Sequence, residues 1–166
     1  TLGETVYLHG LVSIDGGGRP VERQTLARAL DDERRAWHEF LEIVASLPDG
    51  PIYSWTHYER TGVAALWARH GGHEPAYARL MRDLVDLCAI VRDHYALPAS
   101  TCSLKEVAPL FGFAWQAEDA GGLAAGAWYT QWLASPDDAL LRKIREYNLD
   151  DVRAMVVVYR ALRGLA

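Results

Sequence analysis

Cysteine is scarce in this chain of 166 residues, which contains only Cys88 and Cys102. Two isolated cysteines supply neither a disulfide framework nor the paired C-x-x-C ligands of a structural zinc site. No segment has the length and apolar character of a membrane span, and residues 1–4 do not begin a basic-then-apolar signal sequence. These absences predict a soluble protein of the reducing cytoplasm.

An excess of positive charge is missing as well, because the formal net charge at pH 7 is −5. Such a chain is not expected to hold nucleic acid mainly through a broad basic surface. The charge does not exclude a nuclease, since metal-binding carboxylates keep such sites acidic until cations bind. With 50% hydrophobic residues, residues 1–166 are expected to form a single domain with one buried core.

The first half of the sequence alternates strand and helix patterns. Residues 5–14 are rich in β-branched and aromatic types, and the glycine-rich turn that follows predicts a hairpin with a returning strand at residues 20–26. Residues 52–55 predict a short buried strand that leads into a helix over residues 56–69. Between them, apolar residues at helical spacing predict a helix with one buried face: Trp37, Phe40, Leu41, Val44 and Leu47.

The second half is mainly helical. Helices are predicted over residues 75–84, 103–112 and 137–162. The last of these is either continuous or broken near Asn148. Residues 117–127 are expected to form a loop that leads into a further helix. The predicted fold class is therefore α/β: a mixed β-sheet flanked by helices, with a helical C-terminal half.

Two carboxylates stand out as candidate metal ligands. Tyr147 and Asp151 are four residues apart, so on a helix they share one face and point into one volume. Magnesium prefers carboxylate oxygens, and a neighbouring phenol could orient an attacking water. Glu59 lies in the first turn of a helix that follows a buried strand, where open α/β sheets bind ligands. Both candidate sites have a structural alternative. The segment with Tyr147 and Asp151 could be a normal helix start, and Glu59 could form a capping box with Thr56.

Five segments, in this order, resemble one known family. They are Tyr7-Leu8-His9-Gly10, residues 53–59, residues 85–92, Ser103-Leu104-Lys105 and Tyr147-Asn148-x-Asp150-Asp151. The pattern resembles the RNase H-like domain of RecB-type nucleases, a branch of the DnaQ-like, DEDDy-type 3′–5′ exonucleases. The similarity covers essentially the whole chain, and the last segment is its most specific part.

The resemblance implies a two-metal site with Mg²⁺ or Mn²⁺ held by four carboxylates. Asp151 matches the final aspartate of the family's third motif, and Tyr147 matches the residue that orients the nucleophilic water. Glu59 matches the acid of the second motif, where the superfamily more often has aspartate. The first motif, Asp-x-Glu, is expected shortly before Tyr7. Because the chain begins too late to contain it, we expect a fragment without the first strand that has little or no activity by itself.

The remaining candidates have weaker patterns. Lys105 could meet a phosphate as a point charge, and Trp55 is the tryptophan expected to contact nucleic acid. Asp86 is expected to cap a helix, and Asp150 to be a charge at a helix start.

The predicted function is cleavage of single-stranded 3′ ends, with nucleic acid as the partner and no membrane. The alternatives are an inactive nuclease-like module that binds nucleic acid or a helicase or nuclease partner, and a hydrolase of another phosphate ester.

Overall fold

The structure is a computed structural model that describes residues 5–116 and 122–165. The described strands and α-helices are β1 (Leu8–Ile14), β2 (Pro20–Leu26), α1 (Glu33–Ala45), β3 (Ile52–Ser54), α2 (Tyr58–His70), α3 (Glu74–Asp83), β4 (Leu84–Asp86), α4 (Leu87–His94), α5 (Leu104–Val107), α6 (Gly122–Ala134) and α7 (Asp138–Leu165). Short 3-10 helices lie at Leu30–Asp32 and Ala108–Phe111. The α/β fold class and the helical C-terminal half are confirmed. None of the described helices is both long enough and apolar enough to cross a membrane.

The chain divides into two compact units. The first comprises Thr1–Phe40 and Trp115–Arg153, and the second comprises Leu41–Ala114 and Ala154–Ala166. Helices α1 and α7 contribute residues to both units, so this division does not test the prediction of a single domain. The described strands form one antiparallel pair in the first unit and one parallel pair in the second.

The hairpin of the first unit forms as the sequence predicts. Strands β1 and β2 pair antiparallel, from Leu8 opposite Leu26 to Ile14 opposite Pro20. In the turn, Asp15 Oδ1 accepts hydrogen bonds from the N–H groups of Gly17 and Arg19 at 2.9 and 2.8 Å. The carboxylate thereby takes up the donors that a tight turn leaves unpaired.

Aromatic rings join this hairpin to the helices of the first unit. The rings of Tyr7 and Tyr129 are stacked with their centroids 4.0 Å apart, and the Tyr129 hydroxyl donates to the carbonyl of Ala27 at 2.9 Å. The buried cluster around them consists of Tyr7, Leu26, Ala27, Ala36, Tyr129 and Ile144. The chain before β1, the end of β2 and helices α1, α6 and α7 therefore share one core.

The second unit contains the predicted strand–helix alternation. Strand β3 pairs parallel with β4, with Ser54 opposite Asp86, and α2 and α3 lie between them in the chain. Asp86 caps α4 as predicted, since its Oδ1 accepts from the N–H of Ala89 at 2.9 Å. Ser103, which precedes α5, makes no side-chain cap bond. Glu106 in the same helix accepts hydrogen bonds from Ser100 and Thr101.

Helix α7 is continuous from Asp138 to Leu165, so it has no break near Asn148. This continuity excludes a helix start at Asp150. The predicted loop over residues 117–127 is wrong for residues 122–127, which belong to α6, and residues 117–121 lie outside the described ranges.

Candidate active site

A cavity of about 200 Å³ in the first unit contains the phenol and the carboxylate at the centre of the sequence hypothesis. Its lining residues are Tyr7, Leu8, Ala125, Ile144, Tyr147, Asn148 and Asp151. The continuous α7 places residues 147 and 151 one turn apart on one face, so both side chains reach the same volume. The lining combines apolar side chains with a phenol, an amide and a carboxylate, and Asp151 supplies the carboxylate.

The Asp151 carboxylate is held from outside α7. The Trp115 indole N–H donates to Asp151 Oδ1 at 2.9 Å. Trp115 also packs on the small cluster formed by Ala125 and Tyr147. Since an indole has a single donor on a rigid ring, this bond restrains the position of the Oδ1 atom.

Tyr147 is largely buried, with 9% of its surface exposed, and its ring meets Trp128 edge-on at a centroid distance of 6.1 Å. Burial raises the pKa of Tyr147 to about 12, and the negative charge of Asp151 adds to this shift. The phenol therefore stays protonated at neutral pH. It can orient a water molecule by hydrogen bonding, but it is not a base that would remove a proton from that water.

Asp150 has a different environment from its neighbour. Only 2% of it is exposed, and its carboxylate accepts from the Gln116 backbone N–H at 2.9 Å and from the Arg153 guanidinium at 3.1 Å. The same guanidinium binds Glu22 on β2 at 2.6 and 2.8 Å and Glu146 at 2.9 Å. Asp150 is thus a buried anchor for the segment that carries Trp115, and the helix-start interpretation of this residue was wrong.

Asn148 ties the same turn of α7 to the hairpin. Gln24 on β2 donates to Asn148 Oδ1 at 2.8 Å and to the carbonyl of Arg145 at 2.9 Å. On β1, a Cβ atom added to Gly10 would lie 2.1 Å from Asn148 Oδ1. Glycine at position 10 therefore allows the strand and the helix to approach this closely.

Glu59 belongs to the second unit, whereas Asp151 belongs to the first. Glu59 is exposed in the first turn of α2, and its Oε2 accepts from the Thr56 hydroxyl at 2.9 Å and from the Thr56 N–H at 3.2 Å. The structural alternative, a capping interaction with Thr56, is therefore present. A capping carboxylate on the surface is still accessible to a ligand, so its role as a metal ligand stays a prediction.

The two residues predicted to contact nucleic acid also lie in the second unit. Lys105 is exposed in α5. Trp55 is only 7% exposed, and its indole N–H donates to the carbonyl of Cys102 at 3.0 Å. A base could stack on Trp55 only if its ring became more exposed, whereas Lys105 is already accessible.

Comparison with known families agrees with this architecture. The RNase_H_2 family model, described as RNase_H superfamily, matches residues 1–163. The chain belongs to the RNase H superfamily. No curated protein and no solved structure gave a match. Membership in the RNase H superfamily indicates a nuclease-like domain, while the DnaQ-like and RecB-type subgroup stays a prediction.

Three positions that matter for the site were not predicted from the sequence. Trp115 and Arg153 bind the carboxylates of α7, and Asn148 lies against β1 at Gly10. The only signal for Arg153 was its spacing of three residues from Asp150, which on a helix allows an ion pair. Trp115 had no such signal, because it is 36 positions away from the residue that it contacts.

Proposed function

We propose that this RNase H superfamily domain cleaves phosphodiester bonds at the 3′ end of single-stranded nucleic acid in a metal-dependent reaction. The observation that carries the proposal is the shared cavity of Tyr147 and Asp151, a phenol and a carboxylate one helical turn apart. The family match supports nuclease chemistry, and the resemblance of the Tyr147–Asp151 segment to DEDDy-type exonucleases supports the finer assignment.

The type of donor atom that these residues offer fits a hard divalent cation. Asp151 and Glu59 offer carboxylate oxygens, which Mg²⁺ and Mn²⁺ prefer. The number of donors falls short, because residues 5–116 and 122–165 contain no group of three or more His, Cys, Asp or Glu side chains arranged to hold a metal. A two-metal site needs further carboxylates, so we derive no reaction step through the cations.

The contacts of the described residues support the following roles for individual side chains. Trp115 orients the Asp151 carboxylate, and Asp150 with Arg153 holds the segment from which Trp115 projects. The protonated Tyr147 phenol can hold the attacking water in line with the scissile bond. In the second unit, Lys105 offers an exposed positive charge for a phosphate, and Trp55 is the candidate contact for a base.

The test is degradation of end-labelled single strands by the full-length protein with Mg²⁺ or Mn²⁺. Asp151→Asn should lower the rate by at least about a hundredfold, because the ligand charge is lost while the shape is kept. Asp138→Asn, an exposed change of the same type in the first turn of the same helix, is the matched control and should retain the full rate. Unchanged degradation by Asp151→Asn would contradict the proposal.

A second function is favoured by the shortage of metal ligands among the described residues: an inactive nuclease-like module that binds nucleic acid or a helicase or nuclease partner. It predicts that the full-length protein binds a labelled single strand and leaves it intact at every metal concentration. Fluorescence anisotropy measures that binding. Lys105→Ala should weaken it, whereas Lys143→Ala, the control, should not, because that ammonium lies 3.9 Å over the Trp128 ring.

A further inference from the structure

The only two cysteines of the chain lie side by side in the second unit. Cys88 is the second residue of α4, and Cys102 lies shortly before α5. Cys88 Sγ is 3.3 Å from the carbonyl oxygen of Cys102, and Cys102 Sγ is 3.2 Å from the carbonyl oxygen of Cys88. Contacts in both directions require the two residues to face each other, which is also the arrangement that a disulfide needs.

Two hydrogen bonds to one tryptophan hold the two cysteine residues in place. The N–H of Cys88 donates to the carbonyl of Trp55 at 3.0 Å, and the Trp55 indole N–H donates to the carbonyl of Cys102 at 3.0 Å. Trp55 is therefore bound to both cysteine residues at once. Both cysteines are half-buried, so a small oxidant can reach the sulfur atoms without unfolding the protein.

We propose that Cys88 and Cys102 form a reversible intramolecular disulfide when the protein meets an oxidised thiol such as glutathione disulfide. The bond would link the first turn of α4 to the segment before α5, directly beside Trp55. The second unit would then carry a redox-sensitive crosslink.

The chemistry is thiol–disulfide exchange in two balanced steps. Burial raises the pKa of Cys88 to about 12, with a hydrogen bond to the Cys102 thiol as a further cause, so Cys88 remains a thiol at neutral pH. Cys102 as its thiolate attacks one sulfur of glutathione disulfide, the S–S bond breaks, and one glutathione thiolate leaves. Cys88 then loses its proton and attacks Cys102 Sγ, which releases the second glutathione. Two protein thiols are oxidised, and one glutathione disulfide is reduced to two glutathiones.

The experiment treats the native chain with excess glutathione disulfide at neutral pH, quenches it with acid and measures its mass. The expected product is a monomer that has lost two hydrogen atoms, and trypsin should release residues 83–92 joined to residues 93–105, since cleavage sites follow Arg82, Arg92 and Lys105. Dithiothreitol should restore both thiols. Cys88→Ser should accumulate one glutathione per chain on Cys102, and Cys102→Ser, which keeps only the thiol with the raised pKa, should accumulate it more slowly.

A comparison with the urea-unfolded chain tests whether the fold brings the thiols together. The ratio of disulfide to glutathione adduct should be about tenfold higher or more in the folded protein, because an unfolded chain closes this loop only transiently. Stable glutathione adducts on the folded native chain, or disulfide-linked dimers in place of the intramolecular product, would overturn the proposal. An equal ratio in the folded and unfolded protein would do so as well.

Discussion

Trp115 donates its indole N–H to Asp151 Oδ1 across 2.9 Å, and the next residue, Gln116, donates its backbone N–H to Asp150 Oδ2 at the same distance. Two consecutive residues of one segment therefore bind two consecutive carboxylates of α7. The two carboxylates differ in burial, because Asp150 is 2% exposed whereas Asp151 lines the cavity. One of them anchors the segment, and the other faces the cavity.

The Trp115 bond can be measured as a coupling energy. Trp115→Phe should destabilise the protein by about 1–3 kcal/mol, because a hydrogen bond to a charged group is lost together with part of a packed ring. In a double-mutant cycle with Asp151→Ala, which removes the acceptor, urea unfolding should give a coupling of about 1 kcal/mol or more between the two positions. Additive effects of the two substitutions would show that the indole and the carboxylate do not interact in solution.

Tyr147→Phe removes only a hydroxyl from the cavity. Under the proposed function, the rate of strand degradation should fall about tenfold to a hundredfold because the attacking water loses a positioning partner. Tyr129→Phe is the matched control. Its hydroxyl donates to the carbonyl of Ala27, so that variant should lose about 1 kcal/mol of stability and keep the rate. Equal rates for both variants would remove Tyr147 from the mechanism.

Asp150→Ala should lower the free energy of unfolding far more than the same substitution at an exposed aspartate of α7 does. The substitution removes a buried carboxylate from Arg153 and from the N–H of Gln116, so the free energy of unfolding should fall by about 2–4 kcal/mol in urea denaturation. Asp138→Ala, an exposed aspartate in the same helix, should cost less than about 1 kcal/mol. Comparable losses for the two variants would mean that Asp150 is not an anchor.

Local patterns in the sequence were sufficient to predict most elements. The hairpin turn, the apolar stripe of α1 and the capping carboxylate of Asp86 are all encoded within a few neighbouring residues, which is the range over which turn chemistry and helical spacing act. The same locality explains the error at Asp150. A charged residue near Asn148 resembles a helix start, and only the continuity of α7 shows that it lies in the interior of a helix.

Contacts between residues that are far apart in the sequence could not be predicted from these local patterns. The donors to Asp150 and Asp151 come from residues 115 and 116, and Glu22 comes from β2, with no spacing in the sequence that links them. The two cysteines were interpreted as isolated for the same reason, although their thiols face each other in the fold. The relation between Glu59 and Asp151 stays a prediction, since the two residues belong to different units.

Gly10→Ala tests the close approach of β1 and α7. The added Cβ would meet Asn148 Oδ1 at 2.1 Å, so the Asn148 side chain must rotate and lose its bond with Gln24. We expect a loss of about 1–3 kcal/mol in the free energy of unfolding. Asn148→Ala removes the obstacle, and the double variant should be more stable than the sum of the two single effects predicts. Strict additivity would show that these positions do not meet.

His9 on β1 should make folding sensitive to mild acid. Its ring stacks on Phe40 with centroids 4.9 Å apart, and within the described residues its buried Nε2 has no hydrogen-bond partner. Burial lowers the pKa of His9 to about 4, although the nearby Glu33 opposes this shift. The unfolded chain, with a histidine pKa of about 6.5, therefore binds a proton at a pH where the folded protein does not.

It follows that His9 does not reduce the free energy of unfolding above about pH 6.5, and that this free energy falls progressively as the pH is lowered toward 4. One such histidine should remove about 2 kcal/mol between pH 7 and pH 5, as measured by urea unfolding across that range. His9→Phe keeps an aromatic ring without the titrating nitrogen and should flatten this part of the profile. If His9→Phe loses stability with the same slope as the unmodified protein, the pH dependence belongs to other groups, because the variant has no proton to take up at position 9.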